Sequence, residues 1–264
     1  LELAQNTETI RGDVIYEGNK KQWQKLINSY SLRVLMSLSN KVDQTDIDIV
    51  GRFNEILNNF DQFPIFESNS DNASLVYVDI QDNRYPLFND NSLQTAYYME
   101  QTFVERLQNY EDPRLFMMAD KKPNASNLNV EDFSAYGGLY GSAPLSDNGS
   151  KAVSGEASRI KPRYYNNPVN EPSILMSYAE LQFTLAEAAA RGWISEPSEP
   201  YYKSGIAASL AFYGISQAED YLNNPTIQLN SNEDLESILT QKHIALFLNT
   251  GWQSFYDQRR TGFP

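Results

Sequence analysis

The sequence predicts a mainly α-helical protein whose helices come in pairs, joined by long irregular loops and accompanied by a few short strands. Three observations lead there. Residues 176–193 (MSYAELQFTLAEAAARGW) place Met176, Ala179, Phe183, Ala186 and Ala190 on one stripe, widened by Leu181, Leu185 and Ala188. That spacing is the signature of an amphipathic helix with an apolar band broad enough to be buried from more than one side. Residues 200–213 (PYYKSGIAASLAFY) repeat the pattern after a short break marked by proline, so a second helix is expected to fold back on the first. Residues 20–40 carry a third stripe, Trp23, Leu26, Ile27, Tyr30, Val34 and Leu38, opposite Lys20, Lys21, Gln24 and Lys25.

Taken in order, residues 1–18 read as loop, ending in a turn at 17–19. The helix over 20–40 carries Arg33 in its inward half, where a charge calls for a carboxylate partner. A second helix is expected over 42–60, capped by Asp46 or a neighbour, with Ile49, Phe53, Ile56 and Leu57 inward. Residues 74–80 (SLVYVDI) alternate like a strand and 83–86 read as a turn. Ser92 is placed to cap a helix over 93–108, and Asp112-Pro113-Arg114 ends it. Residues 119–172 are rich in Gly, Pro, Ser and Asn without regular periodicity, and so read as a long functional loop. Residues 176–193 then form the central helix, with Gly192 able to stop it in a left-handed conformation. Residues 225–230 read as extended, Asn232 as the cap of a helix over 233–249, and residues 252–259 as a last short helix beyond Gly251. The helices come in adjacent pairs without strict 34-residue self-similarity, so they read as degenerate tetratricopeptide-like units. The whole of 1–264 is expected to be a single domain.

Composition narrows the function. The 264 residues carry a formal charge of −13, which argues against nucleic acid and against electrostatic docking on anionic lipid. There is no cysteine and one histidine, so Cys/His zinc sites are ruled out and a Ser-His-Asp triad would need His243, which sits mid-helix without an orienting motif. The acidic cluster Asp43, Asp46 and Asp48 lacks calcium-loop spacing, and Gly137-Gly138-Leu139-Tyr140-Gly141 is not followed by the Lys-Ser or Lys-Thr of a phosphate loop. Carboxylate pairs of glycosidase type stay open, because spacing along the chain does not report distance. No cofactor is implied. No run reaches the length of a membrane span. The chain starts at Leu1 and reads as a mature or truncated piece, so targeting signals are not informative. The 17 tyrosines, 13 phenylalanines and 3 tryptophans, with many asparagines, are what a surface uses to hold sugars or peptides by ring stacking and amide hydrogen bonds.

Three separated stretches resemble one family. Residues 13–39 (DVIYEGNKKQWQKLINSYSLRVLMSLS), 177–193 (SYAELQFTLAEAAARGW) and 238–264 (ILTQKHIALFLNTGWQSFYDQRRTGFP), with Asp112-Pro113-Arg114 between them, are similar in kind and order to the motifs of the SusD/RagB nutrient-binding lipoproteins of Bacteroidetes, nearest to the SusD-like branch. His243 stands where the family commonly has an aromatic, and Gln253 where it often has Glu. The resemblance implies a non-enzymatic outer-membrane protein, exposed at the cell surface and held by a lipid on an N-terminal cysteine that this chain does not contain. It implies capture of oligosaccharides, or in some members peptides, and their delivery to a TonB-dependent, SusC-like transporter. It also implies that Arg33, Glu187, Arg259 and Arg260 are buried pairs or partner-facing charges.

Ligand-binding residues are then expected in the variable loops: Asn83, Arg84, Tyr85, Tyr97 and Tyr98, and along the long loop Tyr136, Tyr140, Tyr164 and Tyr165. The 83–98 region is favoured, because its aromatics and amides adjoin a helix start. Peptide cargo on the same fold, or a helical protein–protein scaffold without a small ligand, are the alternatives.

Overall fold

A computed structural model of the chain describes residues 10–231 and 234–264. Its helices are α1 (Lys20–Ser37), α2 (Ile49–Leu57), α3 (Asn91–Thr95), α4 (Gln101–Asn109), α5 (Leu115–Met118), α6 (Leu145–Val153), α7 (Tyr178–Ala190), α8 (Ser198–Phe212), α9 (Ala218–Leu222), α10 (Leu235–Ala245) and α11 (Gln253–Thr261). Among the described residues the strands are β1 (Ala73–Leu75) and β2 (Ser173–Met176), paired antiparallel. The fold is mainly α, as the sequence predicts. The chain divides into two compact units.

The first unit lies within residues 10–76, 173–212 and 229–264 and is built around α7. Ser177 caps this helix, its hydroxyl accepting from the Glu180 N–H at 3.0 Å, and Gly192 leaves it at φ +69°. Every residue from Ala179 to Ala190 is buried, because α8, α1 and α10 all pack on α7. Helix α8 folds back as expected, and its Gly205 lets it come close: a Cβ there would stand 2.9 Å from the Phe183 ring. Arg33 finds the carboxylate its position called for, donating to Glu180 at 3.1 Å. Burial pushes the Glu180 carboxyl above its ordinary range, against the pull of Arg33 and Lys242. The other buried acid of α7, Glu187, accepts from Arg260 Nη2 at 2.8 Å and from Arg191 Nε at 2.8 Å. Asp257 links Arg260 (2.9 Å) to Lys242 (2.8 Å). Carboxylates are taken out of water here only with a cation opposite each.

Several boundaries differ from the sequence reading, each for a local reason. Helix α1 ends at Ser37, and a 3₁₀ segment, Ser39–Gln44, follows it. Helix α2 is confined to Ile49–Leu57 by Asp48, whose carboxylate accepts from Gly51 N at 2.8 Å. The strand expected over 74–80 pairs only through Leu75, since its partner β2 is four residues long. Asn232 and Glu233 lie outside the described residues. Helix α10 is capped by Asp234, which accepts from Ser237 N at 3.0 Å, and stops at Ala245.

The second unit comprises residues 77–172 and 213–228. At its centre Asp112 and Arg114 form a fully buried pair, Nε to Oδ1 at 2.9 Å, and the Tyr221 hydroxyl donates to Asp112 Oδ2 at 2.8 Å. The Asp-Pro-Arg stretch therefore anchors this unit as well as ending a helix. The long irregular stretch contains α6, which has no buried residue and so leaves no inward stripe for the sequence to show. Pro225–Ile227 forms a 3₁₀ turn where an extended segment was expected.

Candidate functional site

All nine sequence-predicted ligand residues fall in the second unit. The helix expected over 93–108 is two helices. Asp90 caps α3 through Leu93 N (2.8 Å), and Glu100 caps α4 through Phe103 N (2.9 Å). The link between them, residues 96–100, is free to bond elsewhere. Met99 N donates to Ser158 O at 2.9 Å, Leu139 N to Met99 O at 3.0 Å, Gln101 N to Leu139 O at 3.0 Å and Ser158 N to Gly137 O at 3.0 Å. Three distant segments are thereby knitted by backbone alone. The Gly137-Gly138 pair permits it, since a Cβ on Gly138 would stand 2.6 Å from Gln101 N and one on Gly137 would stand 2.4 Å from Glu156 O. Glycine is needed there for close approach of main chains.

This knot carries Tyr97, Tyr98 and Tyr140. Tyr97 is 56% exposed and Tyr140 39% exposed, while Tyr98 is half-buried. The Tyr140 hydroxyl donates to Glu105 Oε1 at 2.8 Å, and Gln101 Nε2 donates to the same oxygen at 2.8 Å. These two bonds, with Lys151 nearby, hold the Glu105 carboxyl below its usual range, and the bond to Glu105 raises the Tyr140 phenol. Lys151 Nζ lies 5.4 Å from the Tyr140 ring centroid, and Asn148 Nδ2 donates to Tyr140 O at 2.8 Å. The Arg159 guanidinium sits 4.3 Å from the Tyr98 centroid, with Nη2 donating to the Tyr98 hydroxyl at 2.9 Å. The arrangement offers two exposed rings flanked by donors and acceptors.

The other candidates are placed differently. Asn83 and Arg84 are exposed on a separate turn, where Arg84 Nε donates to Asp79 at 2.7 Å. Tyr85, Tyr136, Tyr164 and Tyr165 are buried. Tyr85 packs edge-on to Tyr77 with centroids 5.5 Å apart, and Tyr136 packs on Phe116 and donates to Val130 O at 2.7 Å. Burial pushes both of these phenols up to about 12. Tyr164 lies beside Arg163, whose guanidinium is 5.5 Å from its ring centroid. Arg159, Glu105 and Lys151 were not singled out by sequence. One signal was present: residues 151–165 hold Lys151, Arg159, Lys161 and Arg163 against the single acid Glu156, in an otherwise acidic chain.

In the first unit an apolar groove of about 410 Å³ runs between α1 and α2, lined by Tyr30, Val34, Ile47, Ile56 and Phe63 among others. Among the described residues there is no group of three His, Asp or Glu side chains able to hold a metal ion, and no helix long and apolar enough to cross a membrane.

Comparison with known proteins follows the same lines. A family model described as SusD-like, "starch-binding associating with outer membrane", matches residues 2–264. No curated protein matches. A Bacteroides vulgatus ATCC 8482 outer membrane protein for which nutrient binding is proposed is 41% identical, with a TM-score of 0.93 over 99% of this chain and 61% of its own. A SusD homologue of Bacteroides fragilis NCTC 9343 is 40% identical, with a TM-score of 0.91 over 99% of this chain and 60% of its own. A chitin-binding protein is 26% identical, with a TM-score of 0.76 over 99% and 57%. The chain thus spans about three-fifths of the length of the solved structures it matches. On the family match and these similarities, the chain belongs to the SusD-like family of starch-binding proteins associating with the outer membrane.

Proposed function

We propose that this chain captures oligosaccharides at the cell surface and passes them, uncleaved, to a TonB-dependent transporter of the SusC type in the outer membrane. On this reading the protein is a surface-exposed lipoprotein, held to the membrane by an N-terminal lipid on residues outside this sequence. The observation that carries the proposal is the pair of exposed rings, Tyr97 and Tyr140, held on rigidly bonded backbone beside amide and charged groups. Pyranose rings stack on such faces, while Asn148, Gln101 and Glu105 are of the kind that bond sugar hydroxyls. Support also comes from the starch-binding description of the family and from the chitin-binding protein at 26% identity. Buried Tyr85, Tyr136, Tyr164 and Tyr165 enter this reading as framework of the unit, and Asn83 and Arg84, on a separate turn, are not among its ring contacts.

The test is calorimetry of the purified chain against a panel of neutral oligosaccharides and short peptides. Saturable binding of one glycan class, weakened at least about tenfold by Tyr97→Ala or Tyr140→Ala with the melting temperature unchanged, is the expected result. Binding of peptides alone would sink the glycan reading. A second reading, a protein-docking scaffold, is favoured by the apolar groove between α1 and α2. It predicts glycan silence together with loss of partner capture in Val34→Asp.

A further inference from the structure

Arg159 is unlike the other interior arginines. Arg33, Arg114, Arg163 and Arg260 each meet a carboxylate within hydrogen-bond distance. Arg159 meets none within ion-pair distance among the described residues; its Nη2 donates to the neutral Tyr98 hydroxyl, and its Nη1 is enclosed without an acceptor. A half-buried guanidinium with one enclosed nitrogen lacking an acceptor is under-satisfied. Its chain neighbours add positive charge, since residues 151–165 carry four cations and one acid. Next along the chain from Tyr98, which carries this guanidinium, is the exposed Tyr97.

We propose that Arg159 receives the carboxylate of an acidic sugar, so that the site prefers uronic-acid-containing oligosaccharides to neutral ones. The inference rests on the reading of this region as a glycan site and adds the charge of the ligand to it. The ligand carboxylate takes the place of the Tyr98 hydroxyl on Nη2. The bond it replaces is charged only on the arginine side; a carboxylate makes the acceptor ionic as well, which shortens and strengthens the bond. The net charge of −13 works against any anion at long range. At ~0.15 M salt, screening confines that repulsion to about 8 Å, so the local cations decide.

The experiment is calorimetry of the chain with trigalacturonic acid and with its methyl ester, which has the same rings without the charge. The expected result is that the acid binds about tenfold more tightly than the ester. Arg159→Gln should reduce the acid to the ester's affinity and leave the ester unchanged, with thermal melting showing the fold intact. Tyr98→Phe keeps the ring under the guanidinium but removes the phenol that holds Nη2, so the preference for acid should persist or grow. Equal binding of acid and ester, or equal weakening of both by Arg159→Gln, overturns the inference while leaving the glycan reading standing. Failure of these ligands and of every neutral glycan in the panel removes both.

Discussion

Replacing Glu187 by glutamine isolates the electrostatic frame around α7. The Glu187 carboxylate is fully buried and neutralises two guanidinium groups, Arg260 and Arg191. Removing one partner of a buried pair costs about 3–5 kcal/mol, because the other charge stays buried without compensation. Three features reduce that figure. The glutamine oxygen still accepts one hydrogen bond, recovering about 1 kcal/mol. Arg191 keeps partial access to water, and Asp257 still holds Arg260 at 2.9 Å. The net expectation is a loss of about 2–4 kcal/mol, which for a chain of this length lowers the melting temperature by roughly 4–7 °C. Circular dichroism melting measures it, with Arg52→Ala as control. Arg52 and Glu55 form an exposed pair, and such pairs contribute about 0–1 kcal/mol. A Glu187→Gln melting temperature within 1–2 °C of the parent, or a control equally damaged, would refute the claim that this buried frame holds α11 to α7.

Two further substitutions test local claims. The Asp13 carboxylate is pushed up by burial but accepts from Trp23 Nε1 (2.7 Å), Gly18 N (2.8 Å) and Ile15 N (2.9 Å), and these donors win, bringing its pKa to about 2. A folded value below the unfolded one gives stability that is present above about pH 4 and lost as pH falls toward 2. The melting-temperature advantage of the parent over Asp13→Asn should therefore shrink across that window, and a gap that stays constant contradicts it. At Gly138 a methyl group would meet main-chain atoms of Met99 and Gln101, so Gly138→Ala should both destabilise the chain and weaken glycan binding. Gly141→Ala, with nothing within 4 Å of the added carbon, should do neither.

Much of the helical frame was readable from sequence, because a helix buried against neighbours writes its periodicity into the chain. The stripe of residues 176–193 implied α7, that of 200–213 the return of α8, and the inward position of Arg33 its acid. What failed to show was decided at a distance. The break between α3 and α4 depends on Leu139 and Ser158 bonding the Met99 backbone, which nothing in residues 93–108 announces. Helix α6 has no buried side, so it left no stripe. The candidate tyrosines looked alike because a ring in an irregular loop has no periodicity to tell inside from outside. Tyr136 and Tyr164 point into the interior while Tyr97 and Tyr140 reach water. Arg159 was overlooked for a related reason: its lack of a carboxylate partner is a property of three-dimensional neighbours.

The second unit is spliced into the first along the chain, occupying residues 77–172 and 213–228 between stretches that belong to the other. Synthesis runs from the N-terminus, so every residue of the inserted unit has emerged by position 228. Helix α7 must still wait for α10 and α11 to cover its remaining sides and supply Lys242, Asp257 and Arg260. At about 5–20 residues per second that interval is roughly 2–7 s, during which an unusually apolar helix has incomplete cover. The order of assembly is therefore built into the connectivity: the inserted unit can mature first, and the unit around α7 locks last. Protease added to chains arrested with residue 228 just outside the ribosome should cut near α7 and spare the knot around Gly138, and the reverse pattern would rule this order out.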